Sequence, residues 1–257
     1  MNDKIINYIQ YHPIRTQRGL EILTGLIPWS IILFPLIGSF FIPEIVAYFV
    51  IAFNVYWLYR SIQMVIFAFI GYLNIKGTEK VDWRKKLPKN LPINVVIVSI
   101  VKEPLEIIAR NLDSLKSQNF PPKKIVVVLG MEDRVGQEAY DRAKILLKKY
   151  KNKFGFITAT FHKLAPGETI GKHSNEAFAA KAIKKTLVDQ KKVPLNKIIL
   201  TTADADCVFP PQYLSLLTYK FLNDKNRYQN FYQAPLFMYN NLHRVPLLVR
   251  IPSIVSG

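Results

Sequence analysis

Two long apolar stretches stand out in the pattern of hydrophobic and polar positions along this chain. Thr24 to Ile42 contains no charged residue, and Ile45 to Leu73 contains only Arg60. The first stretch has roughly the 20 residues that an α-helix needs to cross a bilayer. The second is longer and predicts either one tilted helix whose arginine reaches the interface, or a span to about Tyr59 followed by an interfacial helix. We favour the single helix; two buried helices of a soluble protein are the alternative.

Basic residues flank this pair of stretches on one side only. Pro43-Glu44 is the predicted turn of a helical hairpin, and neither Lys nor Arg lies at that tip. By the positive-inside rule, the N-terminus and everything after residue 74 are predicted to be cytoplasmic, in a multi-pass protein of the cell membrane. A cleaved signal peptide fits the late start of the first stretch poorly. The flanking basic residues are Lys4, Arg15, Arg18, Lys76, Lys80, Arg84, Lys85, Lys86 and Lys89.

After Leu91, short apolar runs alternate with amphipathic stretches. Apolar runs bounded by turn residues predict buried strands, and apolar positions repeating every three or four residues predict helices. Their regular alternation predicts an α/β fold, a mostly parallel sheet with helices on both faces. The predicted order is strand Ile93–Ile100, helix Leu105–Ser117, strand Lys124–Leu129, helix Gln137–Tyr150, strand Phe154–Phe161, helix Ser174–Val188, strand Lys197–Thr202 and helix Pro211–Leu222.

The chain is strongly basic, with a formal net charge of +17, a balance that can mark nucleic-acid binding. The positive residues fall in three bands without the interleaved aromatic residues of a single-strand binding platform, so no nucleic-acid partner is expected. Attraction to an anionic membrane leaflet explains the band after the second apolar stretch. The bands at 142–153 and 181–197 are predicted to be solvated helix faces. The single cysteine, Cys207, excludes an intrachain disulfide, and the four histidines lack zinc-ligand spacing.

Two carboxylates follow the last predicted strand, as Asp204-Ala205-Asp206. A strand that ends in two aspartates brings hard oxygen ligands to the edge of a sheet, where Mg²⁺ or Mn²⁺ can lie between protein and phosphate. That arrangement points to a nucleotide or nucleotide-sugar site. The alternative is that the pair caps the next helix, since Asp-x-Asp also occurs by chance.

Polar groups follow the other predicted strands as well. Lys102-Glu103 comes after the first strand, where the backbone up to Val101 could meet a base. Gly130 to Asp133 is predicted to be a turn with two carboxylates that could bind a uracil imide, and Gly171 to Asn175 opens a helix with a lysine placed for phosphate. Each of these, taken singly, is more often a surface turn than a ligand.

The order of these motifs resembles that of membrane-attached family 2 glycosyltransferases of the GT-A fold, which include cellulose, chitin and hyaluronan synthases and polyprenyl-phosphate sugar transferases. The resemblance runs from about residue 92 to 233. It is carried by the acid of Lys102-Glu103, by Gly171-Lys172, by the Asp-x-Asp and by a Leu-x-Ser-Leu-x-x-Gln-x-x-Pro segment. That segment comprises Leu112, Ser114, Leu115, Gln118 and Pro121.

The resemblance implies a hexosyltransferase-type enzyme of polysaccharide biosynthesis. It would transfer a sugar with inversion from a nucleotide-sugar donor, a UDP-sugar, to a lipid or polysaccharide acceptor at the cytoplasmic membrane face. A Mg²⁺ or Mn²⁺ cofactor is implied, with Asp206 as metal ligand and Asp204 contacting metal or ribose. The implied nucleotide site would be lined by Val101, Glu103, Lys172 and Asn175, with Asp133 as the uracil contact.

The chain departs from the family pattern at two places. The family's paired aspartates after the second strand fall on Leu129-Gly130, so Asp133 or Glu132 is a shifted candidate. The family's catalytic base is expected well beyond the Asp-x-Asp, where Asp224 is the one remaining carboxylate. We therefore expect the chain to be truncated, with the base beyond Gly257. The alternative function is a non-catalytic, degenerate glycosyltransferase-like membrane scaffold.

Taken together, these patterns predict five segments along the chain. They are a cytoplasmic N-terminal segment at 1–23, a transmembrane helical hairpin at 24–74, a basic juxtamembrane linker at 75–91, a GT-A nucleotide-sugar-binding domain at 92–242, and an apolar segment at 243–257 that could lie along the membrane.

Overall fold

A computed structural model describes residues 11–165, 167–234 and Pro246 of the chain. It divides into two compact units, Met1–Val81 and Asp82–Gly257. The apolar segment predicted at 243–257 lies outside the described residues, apart from Pro246.

The first unit consists of two long helices, α1 (Pro13–Phe41) and α2 (Pro43–Glu79). Both have the length and apolar composition that a bilayer crossing needs, and almost none of their side chains is buried within the protein. The second apolar stretch is therefore one continuous helix, as favoured from the sequence. The predicted turn at Pro43-Glu44 is wrong by one or two residues, because the break falls on Ile42. Proline begins α2 at a position where its missing N–H costs nothing.

The two helices of this hairpin pack against each other near its tip. Gly38 of α1 is buried against Val46 of α2, and a β-carbon at Gly38 would lie 2.9 Å from Val46 Cγ2. The rings of Phe34 and Phe49 meet edge to face, with centroids 5.0 Å apart. The glycine allows the close approach, because a larger residue there would push the helices apart.

The second unit is built on a four-stranded sheet in which all strands are parallel, in the order β3-β2-β1-β4. Its strands are β1 (Ile93–Ile100), β2 (Ile125–Glu132), β3 (Phe156–His162) and β4 (Ile198–Asp204). Its α-helices are α3 (Leu105–Lys116), α4 (Gln137–Tyr150), α5 (Lys172–Lys184), which continues as a π-helix over Lys185–Gln190, and α6 (Tyr213–Asn223); 3₁₀ turns lie at Trp83–Lys86, Pro122–Lys124, Asp133–Val135 and Leu195–Lys197.

Alternate side chains of the central strand β1 enter two different cores. Val96 and Val98 join a large core with residues of α3 and α4, whereas Val95 and Ile97 pack with residues of α5 on the opposite face. A parallel strand covered on both faces must be apolar throughout, which explains the unbroken run from Val95 to Val98. The predicted fold class is thus confirmed: an α/β sheet with helices on both faces follows two long apolar helices.

Strand β2 is longer than the sequence indicates. The residues from Gly130 to Glu132 were predicted to form a turn, but they continue the sheet, and the turn begins only at Asp133. The reason is pairing on both sides: Met131 lies opposite Ile100 of β1, and Glu132 lies opposite His162 of β3. Neighbouring strands therefore extend β2 past the glycine at which the apolar run stops.

Candidate functional site

The carboxyl ends of the strands meet at one edge of the sheet. Ser99 of β1 lies opposite Gly130 of β2 on one side and opposite Asp204 of β4 on the other. The chain builds β1, β2 and β3 outward in one direction and then places β4 on the other side of β1. Open α/β sheets bind their ligands at the carboxyl ends of the strands where the strand order reverses in this way.

The two aspartates come together just after β4. The side-chain ligand atoms of Asp204, Asp206 and Cys207 lie within 4.8 Å of one another, with both aspartates exposed and the cysteine half-buried. A tight turn produces this arrangement, because the Cys207 N–H donates to the Asp204 carbonyl at 3.1 Å. Two carboxylates suit a hard cation such as Mg²⁺ or Mn²⁺. Burial raises the pKa of the Cys207 thiol, which keeps it protonated and a poor ligand for such a cation.

A lysine bridges this pair to the neighbouring helix. Lys172 is the first residue of α5, and its Nζ lies 2.6 Å from Asp204 Oδ1 and 3.5 Å from Glu176 Oε1. Glu176 Oε1 also accepts a hydrogen bond from the Ser99 hydroxyl at 3.1 Å. Burial lowers the pKa of Lys172, but hydrogen bonds and charge from Asp204 and Glu176 outweigh it, so the pKa is raised. The ammonium group therefore stays charged.

Val101 and Glu103 lie in the loop after β1 and are hydrogen-bonded to each other. The Val101 N–H donates to Glu103 Oε2 at 2.6 Å, so this carboxylate braces its own loop. The guanidinium of Arg142 donates to the Val101 carbonyl at 3.2 Å and pairs with Glu138. The basic band at 142–153 is predicted from the sequence to be a solvated helix face, and that prediction is wrong for Arg142. Its signal is an arginine on the apolar face of α4, where it is almost fully buried.

A cleft of about 260 Å³ lies at the ends of β2 and β3. Asp133 lines it and accepts a hydrogen bond from the Tyr140 hydroxyl, which raises the pKa of that tyrosine. Glu132, the other uracil candidate, pairs with Arg134. The full lining is Glu132, Asp133, Arg134, His162, Lys163, Leu164, Ile170, Gly171 and Ser174.

The buried side chain of His162, which lines the cleft, pairs with the carboxylate of Glu168. His162 is buried, and its Nε2 lies 3.1 Å from Glu168 Oε2, which also accepts from the Ala165 N–H at 2.9 Å. The hydrogen bond from Ala165 and the neighbouring His162 lower the pKa of Glu168. The His162 ring stacks on Phe178 of α5, with centroids 5.0 Å apart.

Asn175 lies beneath the site rather than on its surface. It is 1% exposed, and its Nδ2 donates to the Gly130 carbonyl at 2.8 Å, tying α5 to β2. Its Oδ1 has no hydrogen-bond partner among the described residues.

Polar residues of α3 and of the turn directly after it bind the segment that follows β4. Asn111 Nδ2 donates to the Asp204 carbonyl at 3.1 Å, and Ser114 Oγ accepts from the Phe209 N–H at 3.0 Å. Gln118 accepts from the Leu214 N–H at 3.0 Å and donates to the Pro210 carbonyl at 2.7 Å. Ser114 and Gln118 belong to the segment that carries the family resemblance, and Asn111 was not singled out. Its signal is a polar residue on an otherwise apolar helix face.

The structure thus brings some of the sequence candidates together and separates others. Asp204, at the end of β4, pairs with Lys172 and lies close to Asp206. Asp133 lies in the cleft with Gly171, the residue before Lys172, while Val101 and Glu103 lie after β1.

No family model matches the chain, and no curated protein matches it. Among solved structures, it is similar to the mannosyltransferase PcManGT from Pyrobaculum calidifontis, in complex with GDP-Man and Mn²⁺, with 20% identity over 65% of this chain and 44% of that one and a TM-score of 0.36. A second is TarS of S. aureus, with 18% identity over 58% of this chain and 24% of that one and a TM-score of 0.31. The chain therefore spans less than half of either protein.

Proposed function

We propose that this protein is a membrane-attached family 2 glycosyltransferase with a GT-A domain, which transfers a hexose from a UDP-sugar to a lipid or polysaccharide acceptor. The observation that carries the proposal is the placement of Asp206 and Lys172 beside Asp204, at the carboxyl end of β4. Two carboxylates for a divalent cation and a lysine at a helix N-terminus are the groups that a nucleoside diphosphate needs. The family resemblance of the surrounding motifs agrees with this chemistry.

Each candidate residue has a role in this proposal. Asp206 and Asp204 would hold Mg²⁺ or Mn²⁺, an ion that would supply positive charge for the diphosphate of the donor. Lys172 and the N-terminus of α5 bind the same diphosphate, because backbone N–H groups and the helix dipole favour anions there. The loop of Val101 and Glu103 would meet the nucleoside. The donor reacts with inversion when an acceptor hydroxyl attacks the anomeric carbon; the base that removes its proton is unassigned.

The cleft beside Asp133 is proposed to hold the base of the donor. Its position at the ends of β2 and β3 puts it next to Gly171 and Ser174 at the head of α5, so a diphosphate at that helix could extend into it. In this arrangement Asp133 would exchange its bond from Tyr140 for one from the uracil imide. Asn175 would act from beneath, by fixing α5 to β2.

The helical hairpin is proposed to anchor the enzyme in the cell membrane, with its N-terminus and GT-A domain cytoplasmic. The charge pattern supports this orientation, since basic residues flank the outer ends of α1 and α2 and are missing from the tip at residues 42–44. An anionic leaflet would attract the basic linker at 75–91. The acceptor, a lipid or a growing glycan, would then be reached at the membrane face.

The experiment that tests the proposal is calorimetric titration of UDP into the full chain in detergent, with and without Mn²⁺. We expect Mn²⁺-dependent binding that Asp206→Ala abolishes. The control variant, Asp141→Ala, removes an exposed carboxylate of α4 and should bind like wild type. UDP binding that is insensitive to Mn²⁺ and to Asp206→Ala would overturn the proposed site.

The second candidate, a non-catalytic scaffold, is favoured by one observation on β2. Leu129 and Gly130 stand where the family has paired aspartates, and Leu129 is fully buried in the core. The side chains of Glu132 and Asp133 are engaged by Arg134 and Tyr140. A chain shown to be folded that binds no UDP would support the scaffold.

A further inference from the structure

Lys172 is held by two carboxylates of different character. Asp204 lies at 2.6 Å on β4, and Glu176 lies at 3.5 Å on the next turn of the lysine's own helix. The Asp204 side chain is 60% exposed, whereas that of Glu176 is 15% exposed. Glu176 is further fixed by the hydroxyl of Ser99. Glu176 is therefore the permanent partner of the lysine, and Asp204 is the one that solvent and solutes can reach.

The exposed ion pair uses the same oxygen atoms that a metal site requires. A divalent cation needs carboxylate oxygens at direct contact, and an ammonium group a few ångströms away repels it. An exposed pair contributes little to stability, so separating Lys172 from Asp204 costs little. Asp204 can therefore accept one cation or the other at low cost, but it cannot serve both well.

The N-terminus of α5 offers Lys172 a second possible partner, an anion bound at the end of the helix. Lys172 opens α5, a helix of 13 residues, and the positive end of such a helix attracts a diphosphate. A lysine released from Asp204 would find these phosphate oxygens nearby. Glu176, one turn further along, would limit how far the side chain moves.

We propose that Lys172 is an exchangeable counter-ion, a role that rests on the proposed function: it neutralises Asp204 until that carboxylate takes a divalent cation, and then turns to the donor diphosphate while Glu176 retains it. The two ligands then bind cooperatively. A diphosphate draws Lys172 away from Asp204 and so frees the carboxylate for the cation. By reciprocity, cation binding frees the lysine for the diphosphate.

Two substitutions should change cation affinity in opposite directions. Lys172→Met removes the competitor, and we expect the affinity for Mn²⁺ without nucleotide to rise roughly two- to fivefold, the range that an exposed ion pair can account for. Glu176→Gln leaves Asp204 as the one charged partner of Lys172, so the ion pair between Lys172 and Asp204 becomes stronger. Affinity for Mn²⁺ should then fall about two- to fivefold, on the same scale for an exposed ion pair.

The measurement is free Mn²⁺, followed by electron paramagnetic resonance during titration of the full chain in detergent, first alone and then with UDP. Lys181→Met, which removes an exposed lysine from the same helix, is the matched control and should behave like wild type. UDP should raise Mn²⁺ affinity by a larger factor in wild type and in the control than in Lys172→Met, which keeps only the direct attraction between cation and diphosphate. A melting curve checks that each variant is folded.

Two outcomes separate this role from the proposed function. If Mn²⁺ binds and Asp206→Asn weakens it, but Lys172→Met leaves affinity unchanged or lower, the exchange is wrong while the metal site stands. If Mn²⁺ fails to bind even with UDP, the proposed function is overturned and the exchange with it. Should Lys172→Met not fold, the direction of the Glu176→Gln change decides, since an unchanged or tighter Mn²⁺ site contradicts the exchange.

Discussion

Asn111 and Asp204 are 93 positions apart, yet the side-chain amide of the first donates to the main-chain carbonyl of the second at 3.1 Å. The Asn111 side chain is fully buried, and the bond that it makes is partly buried. It fixes the backbone at the residue where β4 ends and the acidic turn begins. Helix α3, which comes before β2 and β3 in the chain, therefore helps to set the direction of the backbone at Asp204 and Asp206.

The same helix end continues this support beyond the turn. Ser114 and Gln118 bond to the main chain at Phe209, Pro210 and Leu214. These residues were singled out from the sequence only through a family resemblance. Their contacts give that resemblance a physical reason, because the polar positions of the segment replace the hydrogen bonds that an irregular loop lacks.

Gln118→Ala should destabilise the second unit. The substitution leaves the buried N–H of Leu214 without its partner, whereas the Pro210 carbonyl keeps its bond from the Tyr213 N–H. An unsatisfied buried group costs about 1–3 kcal/mol, so we expect a loss of this size in the free energy of unfolding, measured by thermal melting in detergent. Lys116→Ala, an exposed change on α3, should have almost no effect. Equal melting temperatures for the two variants would contradict the bracing role of Gln118.

Gly38→Leu should loosen the helical hairpin. A β-carbon at Gly38 would lie 2.9 Å from Val46 Cγ2, so a leucine there cannot fit without separating the helices. Overpacking of this kind costs about 1–3 kcal/mol. Gly25→Leu is the matched control, because nothing lies within 4 Å of a β-carbon at Gly25 on the same helix.

Magnetic dipolar broadening between spin labels attached near Phe34 and Phe49 is sensitive at such short distances and would report the separation. Gly38→Leu should reduce the broadening, and Gly25→Leu should not. Unchanged broadening in both variants would show that the helices do not need close contact at this glycine.

Gly155→Ala should be among the most damaging small changes in the α/β unit. An added β-carbon would lie 2.3 Å from the carbonyl oxygen of Lys123, which is backbone and cannot rotate away. Hydrogen bonds from the Gly155 N–H to the carbonyls of Pro122 and Ile125 hold the two segments together. We expect a loss of about 3 kcal/mol or more in thermal or denaturant unfolding. Gly171→Ala, where a β-carbon meets open space, should leave stability nearly unchanged.

Asp224 should contribute stability that disappears in acid. A hydrogen bond from the Tyr232 hydroxyl, followed by bonds from Asn230 and the Asn226 N–H, lowers the pKa of Asp224 below its ordinary value of 3.8. A carboxyl whose folded-state pKa is lowered stabilises the fold above its unfolded pKa and loses that effect as pH falls through the folded one. Asp224→Asn should therefore melt below wild type at pH 7, and the difference should shrink below about pH 4.

The control for this pH dependence is Tyr232→Phe, which removes the leading cause of the shift. It should reproduce part of the effect of Asp224→Asn. A melting difference that is constant from pH 7 to pH 2 would contradict a titrating role for this carboxyl.

The helices and strands could be predicted to within a few residues because apolar spacing decides them. Ile93–Ile100 and Gln137–Tyr150 have their predicted bounds, since each is a run whose side-chain pattern is unbroken. The end of β2 could not be predicted, because Glu132 is held in the strand by His162 of a neighbouring strand. Local sequence contains no information about that partner.

The candidate site could be predicted as a set of residue types but not as an arrangement. Asp204 and Lys172 each follow a recognisable strand or turn, yet their ion pair depends on β4 joining β1 rather than β3. The burial of Asn175 depends in the same way on how α5 packs against β2. Such contacts arise from strand order, which periodicity in the chain does not specify.

Strand order also determines when each strand can pair during synthesis of the chain. Strands β1, β2 and β3 can pair as they leave the ribosome, but β1 keeps one open edge until β4 is made. At about 5–20 residues per second, the roughly 100 intervening residues take on the order of 5–20 s. During that interval the apolar edge of β1 is open to pairing with other chains. A nascent chain paused before residue 198 should therefore need a chaperone that shields this edge.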